Sequence, residues 1–202
     1  MIKKVIKLTV IILLMFFVLT DGTHAVKTQR ASKSFSKNLT AKPGQTLTIE
    51  LKHMDLRITG SKDNRITVKA NVEVESSREK HITDFMNESE LIVESTGSGA
   101  LVKLDYPEVK LRGIGIVSFS RSGKVEISVP SKQSIDFTGG YGDVRISGVS
   151  GTIKVKNKSG KIDIMGCGGD LKLRNSYAEV NIADFAGSVK VEASSGAVTL
   201  ET

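Results

Sequence analysis

Lys154, Lys172 and Lys190 stand eighteen residues apart, and Lys156 and Arg174 repeat the same interval two positions further on. Cations at that spacing suggest one chemistry, the holding of regularly spaced anions such as the phosphates or carboxylates of a polymer. Like charges on neighbouring strands oppose each other by a few tenths of a kcal/mol to about 1 kcal/mol, so the row calls for either a ligand or a structural use. The structural use is solubility: lysines on an exposed sheet discourage sheet-to-sheet pairing, with Asp170 and Glu192 near enough to relieve repulsion. A second series, Arg145, Asp163, Asn181 and Thr199, has no consistent sign. One face is therefore predicted to be basic and the other mixed.

Other reactive side chains are dispersed. Glycoside hydrolysis needs two carboxylates facing one bond, whereas Asp143, Asp163, Asp170, Glu179, Asp184 and Glu192 fall at unrelated positions of the repeat. His53 and His81 have no readable partners, and no serine lies in a nucleophile-elbow motif. Gly139-Gly140-Tyr141-Gly142 begins like a calcium-binding β-roll repeat, but Asp143 comes one residue early. Equivalent positions hold Thr152, Lys161, Asp170, Glu179, Ser188 and Ala197, so the acidic ladder is missing. Cys167 has no second cysteine to pair with and reads as a small buried hydrophobe. No catalytic residue, metal or cofactor is expected. A carbohydrate-active enzyme built on repeats is the enzymatic alternative.

The elements that position the cations follow from the apolar spacing. Val144/Ile146, Ile153/Val155, Ile162/Ile164, Leu171/Leu173, Val180/Ile182, Val189/Val191 and Val198/Leu200 begin nine residues apart, and each pair is preceded by a turn. Gly142, Gly151, Gly160, Gly169, Gly187 and Gly196 share that register, which is broken only at Ala178. Val149, Cys167 and Phe185 repeat at eighteen. These periods predict an all-β, single-domain β-solenoid with about 18 residues per coil in two nonapeptide halves. Alternating side chains then point inward, and the five cations point out. The last pair lies at the end of the repeat with no charged plug, so end-to-end self-association is a further expectation.

Residues 1–25 combine Lys3, Lys4 and Lys7 with an apolar run from Leu8 to Leu19 and end in Thr23-His24-Ala25, the form of a signal peptide. An uncleaved anchor is the alternative. The chain has 29 basic and 22 acidic side chains, a formal net charge of +7; without Lys3, Lys4, Lys7 and Asp21 this becomes +5. That surplus suits anionic envelope polymers, and it also suits solubility alone. Nucleic acid is not expected, because aromatics are not interleaved with the basic residues. Residues 26–39 lack apolar periodicity and are expected to form a flexible leader, with the solenoid over 40–202. A less regular insertion at about 70–123 includes a helical turn near His81 to Glu88 and the segment Asp105 to Ser122, a candidate binding loop or a padding hairpin. The sequons at Asn38, Asn87 and Asn157 carry no functional weight without a glycosylating host.

The stretch PGQTLTIELKHMDLRITG, the strand VEISVP and the ladder GDVRISGVSGTIKVKNKSGKIDI together resemble the bacterial putative-adhesin family of β-strand-repeat domains, a domain of unknown function. The likeness covers about residues 40–202. It implies a β-solenoid, export to the periplasm, cell surface or extracellular space, and an adhesive or scaffolding role, and it supplies no catalytic motif. His53 and Met54 depart from it, standing where similar domains often have a glycine turn.

Overall fold

The computed structural model describes residues 28–42, 44–97, 99–107 and 118–201. The expected signal segment at 1–25 lies outside them, as does the middle of the Asp105 to Ser122 segment.

Two sheets face each other across one core. The first coil is β2 (Thr46–Leu51) and β3 (Asp55–Ser61). The ladder then runs from β8 (Ser134–Gly139) through β9 (Val144–Ser147), β10 (Ile153–Ser159), β11 (Ile162–Met165), β12 (Gly168–Tyr177), β13 (Val180–Ala183) and β14 (Ala186–Ala193) to β15 (Val198–Glu201). Successive strands alternate between the sheets, so β10, β12 and β14 are parallel neighbours in one and β9, β11, β13 and β15 in the other. Ile153 lies opposite Leu171, and Leu171 opposite Val189, each eighteen residues on. Short apolar pairs at period two explain these strands: one face of each packs inward while the intervening side chains meet water. Val144, Ile146, Ile153, Val155, Ile162, Ile164, Leu171, Leu173, Val180 and Ile182 are all buried. Each contributes roughly 1.5 to 3 kcal/mol on full burial.

The turns show why small residues recur. Gly142, Gly160 and Gly196 have φ of 131°, 123° and 118°, and a Cβ on Gly160 would overlap the Gly142 carbonyl of the coil beside it. Ala178 occupies the same turn at φ 86°, a left-handed conformation that costs an alanine about 1 kcal/mol. His53 takes φ 57° in the turn between β2 and β3, so the glycine-free first turn still adopts the left-handed region.

The remaining strands close the other end. β4 (Arg65–Ser76) turns back from β3, and β7 (Phe119–Pro130) slots between them, parallel to β3 and antiparallel to β4. The first coil therefore stacks on a coil distant in sequence, with Leu56 opposite Val144 and Leu47 opposite Ile135. On the facing sheet, β6 (Gly99–Asp105) adds parallel to β2, and β5 (Glu90–Ser95) adds antiparallel to β6.

The flexible leader expected at 26–39 is corrected. Gln29–Thr40 forms β1, antiparallel to β4 from Gln29 opposite Ser76 to Thr40 opposite Arg65. Its inward side is formed by Ala31, Lys33 and Phe35, and the buried lysine hides the apolar alternation. That lysine is satisfied by the helix α1 (Glu79–Glu88): Lys33 Nζ donates to Met86 O at 2.6 Å and to Ser89 O just beyond it at 2.7 Å. A cation at a helix C-terminus meets carbonyls that have no partner within the helix. Burial holds the Lys33 pKa below the ordinary lysine value, against the pull of Glu90.

Candidate functional site

On β10 the inward positions are Ile153, Val155 and Asn157, which leaves Lys154 and Lys156 outside. β12 repeats this with Leu171, Leu173 and Asn175 inside and Lys172 and Arg174 outside, and Lys190 lies outward on β14. The pairing joins these into two rows. One reads Asp136, Lys154, Lys172, Lys190 and the other Thr138, Lys156, Arg174, Glu192. Neighbouring positions are about 4.8 Å apart along each row. All five sequence-predicted cations therefore lie on one exposed face, in register.

Their electrostatics are unequal. Arg174 reaches Glu192 at 2.5 Å and Lys190 reaches it at 3.3 Å. Those hydrogen bonds, to Arg174 first and Lys190 second, hold the Glu192 carboxyl below its ordinary range. Lys154, Lys156 and Lys172 have no carboxylate within ion-pairing distance among the described residues. The uncompensated charge is thus concentrated on β10 and on Lys172 of β12. Asp170 takes a different part, accepting a 2.5 Å bond from the Ser188 hydroxyl. Continuing along the sheet, the first row passes from Asp136 to Thr48, Leu101 and Glu94, so the basic patch covers three of the sheet's seven strands.

The opposite face is neutralised pair by pair. Arg145 meets Asp163 at 3.3 Å, Asn181 donates to the same carboxylate at 3.2 Å, and Lys161 lies between Asp163 and Glu179 at 3.6 and 3.3 Å.

Two features escaped sequence reasoning. Asn157 and Asn175 are buried and stacked, their amides turned into the corners of the coils. Asn175 Nδ2 donates to Gly160 O at 3.1 Å, Tyr177 O at 3.0 Å and Ala178 O at 3.2 Å, and Asn157 does the same for Gly142 and Ser159. Eighteen-residue spacing at an inward position was the available signal. Asn157 stands in a sequon, yet its amide is committed to these backbone carbonyls.

The second is a cleft of about 480 Å³ on the turn side, between the β2–β3 and β8–β9 turns and strands β4 and β7, where His53, Asp55, Glu73, Arg121 and Tyr141 converge. His53 and Tyr141 stack with ring centroids 5.1 Å apart. No local pattern announces this site, because its residues come from four separate stretches of chain.

One hydroxyl–imidazole pair forms among the described residues. Ser76 Oγ lies 3.0 Å from His81 Nδ1, but Ser76 is fully buried and also within donating distance of Ser118 O, at 3.1 Å. A nucleophile in that position could not meet a substrate. Among the described residues no three His, Cys, Asp or Glu side chains are grouped to hold a metal ion. Cys167 is 4% exposed, and burial raises its thiol pKa. Among the described residues no helix is long and apolar enough to cross a membrane.

Comparison with solved structures bears on the fold. A putative cell adhesion protein from Clostridium sporogenes is similar at a TM-score of 0.53 and 12% identity, over 84% of this chain and 99% of that one. A putative adhesin from Bacteroides fragilis aligns over 84% of this chain and 96% of that one, at 14% identity and a TM-score of 0.32. The fold likeness rests on the first. No curated protein matches the chain. The model of the Toastrack DUF4097 family matches residues 28–202, and the chain belongs to that family.

Proposed function

We propose that this protein is an exported, non-enzymatic, adhesin-like binding module of the cell envelope or surface, and that Lys154, Lys156, Lys172, Arg174 and Lys190 hold an anionic envelope polymer such as an acidic polysaccharide. The observation that carries this reading is the unpaired state of Lys154, Lys156 and Lys172 on adjoining strands. Three exposed cations held close without an ion-paired acid give up stability that a polyanion would return. In this reading the repeating coil is about 18 residues in two nonapeptide halves, so the cation spacing across coils is set by the backbone. The name of the Clostridium sporogenes structure, a putative cell adhesion protein, agrees with a binding role.

The test is binding of the purified protein to a teichoic acid and to an acidic polysaccharide, beside Lys154→Gln/Lys156→Gln/Lys172→Gln. A folded triple variant is expected to lose most of the binding; equal binding would contradict the assignment. An Arg145→Gln variant on the neutralised face is the control and is expected to bind as the wild type does.

A second reading is a self-associating scaffold, favoured by β15, where Val198 and Leu200 are 47% and 53% exposed on a strand that among the described residues is paired on one side only. It predicts concentration-dependent assembly that Leu200→Lys abolishes. A monomer at all concentrations would exclude it.

A further inference from the structure

Apolar and aromatic side chains of the ladder point inward almost everywhere, but Tyr141 and Tyr177 stand on its turn side with 45% and 57% exposure. They are two coils apart, separated by Ser159, which bridges to Tyr141 and pairs with Tyr177. Two coil spacings put their backbone positions about 10 Å from each other, close to the length of one disaccharide in an extended chain. Tyr141 is also fixed in place: His53 stacks on it with the planes 11° apart, and Lys158 Nζ lies 5.4 Å from its ring centre. Exposed, pre-oriented rings offer flat apolar area to the C–H face of a pyranose at little entropic cost.

The cleft beside Tyr141 adds charge. Arg121 lines it, and its guanidinium rests 3.5 Å from the centre of the Tyr106 ring, whose hydroxyl is anchored on Lys52 O at 2.9 Å. Arg121 Nε is buried and has no hydrogen-bond partner among the described residues. A buried, unpaired donor is costly, and a guanidinium fork is suited to a carboxylate. Of the other charged groups lining the cleft, Lys124 pairs with Glu126 at 2.6 Å and Asp55 accepts the Asp143 backbone N–H at 2.9 Å, while Glu73 stands on the β4 side as an acid that Arg121 must outweigh.

We infer that this turn side is a glycan-binding strip, separate from the basic sheet face, in which Tyr141 and Tyr177 stack on sugar rings of an extended β-(1→4)-linked chain while Arg121 takes a uronate carboxylate in the cleft. The two tyrosines set the chain's direction along the stack of coils, and Arg121 sets the preference for an acidic sugar.

The probes are a β-(1→4)-mannuronate hexasaccharide and the neutral β-(1→4)-mannohexaose, titrated calorimetrically into wild type, Tyr177→Ala, Tyr141→Ala and Arg121→Gln. The acidic hexasaccharide is expected to bind more tightly than the neutral one. Each tyrosine variant should weaken both by up to about tenfold, the scale of one lost aromatic platform, and Arg121→Gln should lessen the preference for the acid while leaving binding of the neutral chain unchanged. Arg145→Gln on the neutralised sheet face is the control and should bind both as the wild type does; weakened binding of the neutral mannohexaose in the tyrosine variants separates this strip from the basic sheet face, whose cations have no charge to hold on a neutral chain. Tyr177 is mostly exposed, so its variant tests the strip even where Arg121→Gln fails to fold. Binding of neither hexasaccharide, or affinities unchanged in folded Tyr141→Ala and Tyr177→Ala, would overturn the assignment.

Discussion

At His53 three effects act on one imidazole: burial opposes the proton first, then the charges of Arg121 and Lys52. Its pKa lies below the ordinary value near 6.5, so its share of stability is full above that pH and is lost as pH falls toward the folded pKa. A proton NMR titration should find His53 below the usual range and moved up in Arg121→Gln; an unshifted His53 in the wild type would contradict the cleft's electrostatics. Ala178 provides a second test. Ala178→Gly relieves the left-handed strain and should raise stability by up to about 1 kcal/mol in urea unfolding. Asn175→Ala should act in the opposite sense, by about 1 to 3 kcal/mol, because the carbonyls of Gly160, Tyr177 and Ala178 lose their donor inside the corner. Ala178 was legible in the sequence as a break in the glycine register. The asparagine pair was equally periodic, but a polar residue at an inward position reads as an exception until its three acceptors are seen.

For the strands, legibility followed sequence distance. β10 to β15 pair with neighbours one coil away, so the spacing of apolar pairs pointed to these strands, whereas β8 on β2 and β9 on β3 join distant stretches. β1, β4 and β7 pair across long separations, Gln29 with Ser76 and Val74 with Arg121, and no local pattern names such a partner. Lys33 adds to this by occupying an inward position that only the C-terminal carbonyls of α1 make tolerable. The ladder is also uneven in energy. Ile164 is 1% exposed, and Ile164→Ala should cost about 2 to 5 kcal/mol, whereas Leu200→Ala at 53% exposure should cost under about 1 kcal/mol. Similar costs at the two positions would mean that the end rung is covered in solution, as the scaffold reading requires.

Across the whole molecule, charge is distributed by surface. The five cations were legible as a row from spacing alone, since alternation fixes which side chains point out of a strand. Their pairing state was legible only in part: Glu192, expected to relieve repulsion, meets Arg174 and Lys190 through the register of β12 on β14, whereas Asp170 is bonded to Ser188 instead. The turn-side cleft was still less accessible, its residues being drawn from four separate stretches of chain. The most direct measurement of the central claim is the affinity of the purified protein for a teichoic acid across a salt series, beside the folded Lys154→Gln/Lys156→Gln/Lys172→Gln variant. The basic face predicts wild-type binding that weakens steeply with salt and a variant with a much shallower slope and weaker binding; salt-insensitive binding, or the same slope in both proteins, would contradict it.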